Sequence, residues 1–331
     1  MDTASHFVVG VGLAGLSQLD PVVVSQPAMQ TAVILATIIG SQAPDFDTIT
    51  RLRSNAVYIR QHRGMSHSIP AVLLWTLLIS ASLYMFFPIN DGYVHLLSWT
   101  LLAVSLHVGM DLFNTYGTQA LRPFSKVWIS WNIIHIFDPF IFITHIIASV
   151  LWISHLADPT LIFPVLYIII AIYYVVRVSY HYYLKKHLQK SIPIQKDDVL
   201  TIIPTVRYRI WHLMIKKGDG SYKLGTLNRG NIRWVEQISS DHHPLINKSS
   251  HHPTVSALQS FTKHTVAHII EHHWGTEVRW CDARYRHRRQ YPFVAIVFYD
   301  HDEQPLASYV GWLNDQKLYK RLYNEAKLSS Q

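Results

Sequence analysis

The residues of this chain that are best suited to metal chemistry are histidines and aspartates in its first 111 positions. His107 and Asp111 stand four residues apart in an apolar run, so on a helix the imidazole and the carboxylate would share one face. An ionisable pair at membrane depth is costly unless it has a partner, which makes a functional site the default interpretation. The full candidate set is His6, Asp45, Asp47, His62, His67, His107 and Asp111.

The composition indicates that one part of the chain lies in lipid and another in water. Only 15% of the 331 residues are charged, whereas average soluble proteins carry about 25%. The depletion lies almost wholly before residue 185, which predicts a membrane domain at 1–187 and a soluble domain at 188–331. The single cysteine, Cys281, excludes an intramolecular disulfide framework and fits a reducing compartment.

Four apolar segments are each long enough to cross a bilayer, which takes about 20 residues as a helix. They are residues 69–87, 95–113, 131–153 and 161–184. Two shorter apolar stretches, 7–19 and 29–43, are predicted to form a buried helical hairpin. The expected fold of this part is therefore an α-helical membrane bundle of four long spans and a short N-terminal hairpin.

The charges that flank these spans predict their orientation. Lysine and arginine precede the first span, follow the second and follow the fourth, whereas the turns at 88–94 and 154–160 hold an aspartate each and no basic residue. The positive-inside rule therefore places residues 44–68, 114–130 and everything after 185 in the cytoplasm. Every candidate ligand then lies at or just below the cytoplasmic face of the membrane.

Residues 190–331 have the pattern of a soluble mixed α/β domain that is mostly β. Strands are predicted at 199–203, 208–215, 232–237, 278–281 and 293–299, and helices at 255–274 and 314–327. The turn Gly218-Asp-Gly220 predicts a hairpin between two strand-like runs. On the predicted helix 255–274, His264, His268 and His272 recur every four residues, which fits either metal binding or an ordinary amphipathic face.

Mixed histidine and aspartate ligation suits zinc, manganese or iron(II) better than calcium or magnesium, which prefer oxygen ligands alone. Seven candidates exceed what one tetrahedral ion uses, so we expect two ions, with zinc favoured over manganese. Two-metal sites typically activate a water and clamp a phosphoryl or acyl oxygen. The competing interpretation is a polar network that stabilises helix packing.

Several spaced motifs give the first 185 residues a family resemblance. The segments Asp2…His6, Ser41-Gln-Ala-Pro-Asp-Phe-Asp47, His62-Arg-Gly-Met-Ser-His67 and His107-Val-Gly-Met-Asp111 resemble, in that order, the YdjM-like family of membrane-bound metal-dependent hydrolases, in its YfhP-like branch. That family in turn resembles zinc-dependent phospholipase C and single-strand nucleases, which hydrolyse phosphate esters at a zinc cluster. The resemblance implies these metal ligands: His6, one of Asp45 or Asp47, one or both of His62 and His67, His107 and Asp111.

Three further features have two interpretations each. Arg63 and Arg122 either orient a phosphate through their guanidinium forks or serve only as positive-inside anchors. Asp138, which precedes a proline, is either an outer metal ligand or a partner of Arg122 or Arg63. The basic run 285–291 is expected to contact anionic lipid headgroups rather than nucleic acid, because no nucleic-acid motif accompanies it.

The expected function is metal-dependent hydrolysis of a phosphate ester at the cytoplasmic membrane face, with a phospholipid headgroup ester as one suitable substrate. Asp45 or Asp47 is the expected general base. The first alternative is a regulatory or scaffold protein with a structural metal cluster. The second is a metal-coupled or proton-coupled transporter, against which the one-sided cluster and the lack of repeated broken helices both argue.

Overall fold

The computed structural model describes residues 1–286, 290–313 and 315–330, and its chain divides into two compact units. The first unit comprises Met1–Asp47, Arg63–Ser191 and Ile202–Trp211. The second comprises Thr48–His62, Ile192–Thr201 and the described residues from 212 onward. The helices, in chain order, are α1 (Thr3–Leu16), α2 (Pro21–Ser25), α3 (Pro27–Gly40), α4 (Asn55–Gln61), α5 (Ile69–Phe86), α6 (Tyr93–Leu112), α7 (Pro139–Ile153), α8 (Pro159–Ser191), α9 (Pro244–Ser250), α10 (Pro253–Phe261) and α11 (Gln316–Ser329).

In the first unit the N-terminal helices form the expected buried hairpin. Helix α1 begins after Asp2, whose carboxylate accepts hydrogen bonds from the N–H groups of Ala4 and Ser5. Helices α2 and α3 both begin at a proline, where the missing N–H costs no hydrogen bond. Helix α1 packs against α3 and comes close to α8, since a Cβ on Gly15 would overlap the ring of Phe163.

Within the described residues, three helices are long and apolar enough to cross a membrane, namely α5, α6 and α8, while α3 and α7 are shorter apolar helices. The predicted span 131–153 is wrong in its first part, because residues 131–138 are not helical and α7 begins at Pro139. The physical reason is local: a proline disfavours helical backbone at the residue before it but is well tolerated in the first turn. Helix α8 extends beyond the predicted span, to Ser191.

Two apolar clusters hold the first unit together. Helices α3, α5 and α6 contribute one cluster, in which Val33 and Leu96 are completely buried. Helices α1, α7 and α8 contribute the other, in which Ile141 and Phe163 are completely buried. The end of α6 that carries His107 is therefore anchored by burial of apolar surface, the dominant stabilising effect in folding.

The second unit confirms the expected mixed α/β character and contains more strands than predicted. The strands are β1 (Val199–Pro204), β2 (Ile210–Lys216), β3 (Tyr222–Asn228), β4 (Asn231–Ile238), β5 (Thr265–His272), β6 (Gly275–Asp282), β7 (Phe293–Tyr299) and β8 (Pro305–Trp312). Residues 202–204 of β1 and 210–211 of β2 belong to the first unit. They form two four-stranded sheets, ordered β1-β2-β3-β4 and β5-β6-β7-β8. Neighbouring strands of the second sheet pair antiparallel. Helix α10 packs on β7 and β8, and α11 packs on β8.

The predicted helix 255–274 is wrong beyond Phe261, where α10 ends and the chain turns into strand β5. The segment that follows, Thr-Val-Ala-His-Ile-Ile, is rich in β-branched residues and pairs along its whole length with β6. On a strand, residues four apart lie about 13 Å apart, so His264, His268 and His272 cannot close on one ion. The predicted hairpin at 218–220 does connect neighbouring strands, β2 and β3.

Two predictions reach beyond the described residues. The predicted helix 314–327 corresponds to α11, but Asn314 lies outside the described part of the chain. In the basic run 285–291, residues 287–289 also lie outside it, while Arg286 forms an ion pair with Glu236 at 2.6 Å. The predicted lipid contact of this run stays a prediction.

Candidate metal centre

Four of the seven candidate ligands converge in the first unit. Asp45, His67, His107 and Asp111 each offer a ligand atom, and these atoms all lie within 4.8 Å of one another. Three segments supply them: a 3₁₀ segment after α3, a 3₁₀ turn before α5 and the last two turns of α6. The four-residue spacing on α6 brings the imidazole Nε2 of His107 to 3.7 Å from a carboxylate oxygen of Asp111.

The distances between the ligand atoms resemble the edges of a tetrahedral site. His67 Nε2 lies 3.3 Å from His107 Nε2, 3.4 Å from Asp45 Oδ1 and 3.3 Å from Asp111 Oδ2. His107 Nε2 lies 3.7 Å from each of the same two oxygens. Nitrogen and oxygen ligands at about 2.0–2.2 Å from a tetrahedral zinc are about 3.3–3.6 Å apart. Little movement would therefore bring the four atoms to bonding distance of one ion.

Hydrogen bonds on the far side of each ring direct the imidazole lone pairs into the cluster. His107 Nδ1 donates to the backbone carbonyl of Ser41 at 2.7 Å. Ser66 Oγ donates to Asp47 at 2.6 Å and accepts from His67 Nδ1 at 2.9 Å. With both ring protons on Nδ1, each Nε2 presents a lone pair. Two lone pairs 3.3 Å apart cannot hydrogen-bond to each other, whereas a cation between them would bind both.

The carboxylate oxygens of the cluster also lack donors. Asp45 Oδ1 and Asp111 Oδ2 are buried and accept no hydrogen bond of good geometry. A buried, charged oxygen without a partner carries a large desolvation cost. A divalent cation would remove that cost, and two nitrogens with two oxygens form a donor set that zinc accepts. The residues therefore fit a metal ion.

The protonation states that burial and charge favour are those that metal binding needs. Burial lowers the pKa of His67 to about 3, against the attraction of Asp45, so its imidazole is neutral at neutral pH. Burial alone would raise the pKa of Asp45, but the positive charge of Arg63 is among the contributions that hold that pKa well below its usual range. Neutral imidazole and ionised carboxylate are the metal-binding forms.

His6 and Arg63 border the cluster on the side of Asp111. The ring of His6 stacks on that of His107 with centroids 3.7 Å apart, and its Nε2 lies 3.3 Å from Asp111 Oδ1. Arg63 Nη2 lies 3.2 Å from the same oxygen and donates to the Met1 carbonyl at 2.8 Å. The Met1 amino group contacts both His6 and Asp111. Arg63 is thus buried behind Asp111 rather than exposed at a mouth of the site.

Asp47 and His62, the other two candidates, are not among the four. Asp47 accepts from the backbone N–H of Arg63 at 3.0 Å and from Ser66, so it holds His67 through that serine. His62 follows α4 in the second unit, and its ring stacks on Tyr58 with centroids 4.7 Å apart. Metal binding by Asp47 and His62 therefore stays a prediction.

Two secondary predictions are corrected by the structure. Asp138 partners neither Arg122 nor Arg63, because its carboxylate caps α7 and accepts from the Tyr173 hydroxyl at 2.7 Å. In the second unit, His268 faces Asp241 at 3.5 Å and His272 faces Glu277 at 3.3 Å, each in a separate pair. The proposed histidine stripe is therefore not a metal site in the described structure.

Sequence reasoning missed the groups that orient the ligands. The carbonyl of Ser41 and the hydroxyl of Ser66 fix the two imidazoles, and Asn114 Nδ2 donates to Asp111 at 3.0 Å. Both serines lie inside the motifs that carry the ligands, and Asn114 lies just beyond the end of α6, three residues after Asp111. Their positions next to the ligands in the sequence were the signal that could have identified them.

Comparison with known proteins agrees with this architecture. The family described as YdjM inner membrane protein matches residues 1–184, which include all four converging ligands, and the YfhP C-terminal alpha/beta plait domain matches residues 244–322. The protein YfhP of Bacillus subtilis (strain 168) is 43% identical over 329 residues, covering 97% of this chain and 98% of the relative. No solved structure matches. The chain therefore belongs to the YdjM inner membrane protein family, and it is a membrane protein with a cluster of residues able to bind a metal.

Proposed function

We propose that this protein is a membrane-bound, metal-dependent hydrolase that acts on a phosphate ester at the cytoplasmic face of the membrane. The observation that carries the proposal is the cluster itself: two imidazole lone pairs and two donor-free carboxylate oxygens face one another in a buried site. Zinc fits this donor set best, and manganese is the second choice. The expectation of two ions stays a prediction.

In this proposal each residue has a distinct task. Asp45, His67, His107 and Asp111 would hold the ion, which when bound supplies an acidified water and polarises a phosphoryl oxygen. Arg63 and Asn114 hold Asp111 in place, and Asp47 holds His67 through Ser66. Asp45 is the most exposed of the four, with 13% of its side chain accessible, so a water would reach the ion from its side. Asp45 or Asp47, whichever is not fully committed to the metal, would act as the general base.

The cytoplasmic orientation rests on charge. The ends of α6 and α8 and the starts of α5 and α7 lie towards the basic segments, whereas the opposite turns carry Asp91 and Asp158 without lysine or arginine. A multi-pass arrangement with residues 188–331 in the cytoplasm follows. A fluorescent reporter fused to the C-terminus should be active, whereas an alkaline phosphatase fused there should be inactive. The reverse result would overturn the orientation.

The same cluster also supports a second candidate, a regulatory or scaffold protein whose metal is structural. Four protein ligands complete a tetrahedral coordination sphere, which is the usual arrangement of structural zinc, whereas catalytic zinc keeps a position open. His67, His107 and Asp111 are almost completely buried, which agrees with that arrangement.

Turnover by the metal-loaded protein separates the two candidates. The full chain in detergent is assayed with a chromogenic phosphodiester and with phospholipid in mixed micelles, beside Asp45→Asn and the control Asp158→Asn, which changes an exposed residue of the opposite turn. A hydrolase should lose at least about a hundredfold in rate in Asp45→Asn and nothing in the control. Full metal content without turnover on either substrate would favour the structural role.

A further inference from the structure

Arg177 is a buried cation near the cytoplasmic end of α8. It lies eighteen residues after Pro159, about 27 Å along the helix, which is close to the thickness of the hydrocarbon core. The following turns carry Tyr182 and Tyr183, both exposed, and then Lys185. Tyrosine and lysine at such a position are typical of the level of the lipid headgroups.

The guanidinium of Arg177 has donors that no protein group accepts. The residue is only 2% exposed; Nη2 donates to the backbone carbonyl of Ile133 at 2.8 Å, and Nε and Nη1 have no acceptor. The aromatic rings of Tyr208 and Trp211 lie 4.9 Å and 4.5 Å from its central carbon, and the indole N–H of Trp211 also lacks an acceptor. In the described part of the chain, no carboxylate forms an ion pair with Arg177.

These features together indicate a missing anion. A buried charge without a counter-ion is strongly destabilising, and stacking on two rings offsets that cost without satisfying any N–H group. Arg177 and Trp211 leave three buried donors and no free acceptor among them, which excludes a cation or a donor ligand. A tetrahedral oxyanion offers several acceptor oxygens and matches the planar guanidinium fork.

We propose that Arg177 and Trp211 form a binding site for a phosphate group, separate from the metal centre, at the cytoplasmic headgroup level of the membrane. The ring of Tyr208 lies over the guanidinium, and this residue is 48% exposed, so the guanidinium lies next to a surface side chain. Basic pockets between helices on the cytoplasmic side are known binding sites for phosphorylated headgroups. The phosphate belongs either to a phospholipid headgroup or to a free phosphate ion.

The test measures the thermal stability of the full chain in detergent, because a ligand that binds only the folded state raises the melting temperature. One arm compares sodium phosphate with sodium chloride at equal ionic strength. The other compares mixed micelles of phosphatidylglycerol with micelles of diacylglycerol, which has no phosphate. The variants are Arg177→Gln, Trp211→Phe and the control Arg209→Gln, which removes the same charge from an exposed position two residues before Trp211.

We expect a rise in melting temperature that Arg209→Gln retains and Arg177→Gln loses, with at least about a tenfold weaker affinity. Trp211→Phe keeps one aromatic ring and removes the N–H together with the pyrrole ring, so it should fold and weaken binding by a smaller factor. A rise with phosphatidylglycerol alone identifies the headgroup as the ligand, and a rise with both probes includes the free ion. No rise with either probe in the wild type, or a rise that Arg177→Gln and Trp211→Phe both retain, would overturn the proposal.

Discussion

Two completely buried carboxylates, one in each unit, show how differently a protein can treat the same chemical group. In the second unit, Glu277 accepts from Arg279 Nε at 2.7 Å and from the Tyr319 hydroxyl at 2.7 Å, with His272 at 3.3 Å. Its charge is neutralised and its lone pairs are used. Glu277 therefore requires no bound ion or ligand, and its role is structural.

Asp111, in the first unit, is supplied with donors on one oxygen only. Oδ1 contacts Arg63 and Asn114, whereas Oδ2 faces the imidazoles of His67 and His107, whose ring protons are held on the opposite sides. A cluster of histidine and carboxylate is therefore not by itself a metal site. The direction of the lone pairs distinguishes the two kinds of site. In a metal site several acceptor atoms face one point, whereas in a structural network each acceptor faces a donor.

The largest expected effect concerns metal affinity. Asp111→Asn and His67→Ala each remove a ligand, so each should weaken zinc binding by more than about a hundredfold, the upper range for loss of a mere supporting group. Competition with a chelating dye measures this affinity. Glu277→Gln is the matched control in the other unit and should bind zinc like the wild type. Equally weakened zinc binding in all three variants would contradict the distinction between the metal-binding Asp111 and the structural Glu277.

The second expected effect concerns stability rather than metal. Glu277→Ala leaves the partly exposed guanidinium of Arg279 without its counter-ion and the Tyr319 hydroxyl without its acceptor, which should cost about 1–3 kcal/mol. Hydrogen exchange of the β6 and β7 amides in the full chain reports this loss of local stability. Metal content should stay unchanged. Unaltered exchange in these strands would show that the network is not structural.

The third effect separates a residue that orients a ligand from its neighbour. Ser66→Ala breaks the link between Asp47 and His67 and should weaken zinc binding about 10–100-fold. Ser68→Ala removes instead the N-cap of α5 and should cost about 1 kcal/mol of stability with zinc affinity intact. The same dye competition and a thermal melt distinguish them; equal zinc affinities in the two variants would contradict the orienting role.

The smallest effect tests whether α6 itself tolerates change beside the cluster. A Cβ on Gly109 meets nothing within 4 Å, so Gly109→Ala should leave zinc affinity unchanged and stabilise the helix by up to about 1 kcal/mol. On α1, a Cβ on Gly12 would lie 2.8 Å from His145, so Gly12→Ala should cost about 1–3 kcal/mol. Thermal melts of both variants give the comparison, and a destabilised Gly109→Ala would contradict the described packing.

The sequence predicted the structure well where the local pattern of apolar and polar residues determines the secondary structure. Long apolar runs predicted α5, α6 and most of α8, and the spacing of His107 and Asp111 predicted a shared helix face, because both depend on local geometry alone. The start of α7 was predicted too early, because the proline at 139 was given less weight than the apolar run around it. Ligands from separate segments were identified as a set, but spacing along the chain could not show which four of them meet in one cluster.

The histidines of β5 show the opposite case. A four-residue repeat places side chains on one face of a helix and also on one face of a strand, so the repeat in His264, His268 and His272 cannot distinguish the two. The pairing of β5 with β6 decided the structure, and that pairing joins residues that are distant along the chain. Propensity is a weak guide where such tertiary contacts dominate.

The most direct test of the central claim is the metal content of the purified full chain. Elemental analysis is performed on the wild type and on the His107→Ala/Asp111→Ala double variant after loading with zinc or manganese and removal of excess metal. We predict one or two ions per wild-type chain, with two confirming the di-metal expectation, and nearly none in the folded double variant. A folded wild type that retains no metal would contradict the metal centre and leave a polar network that stabilises helix packing.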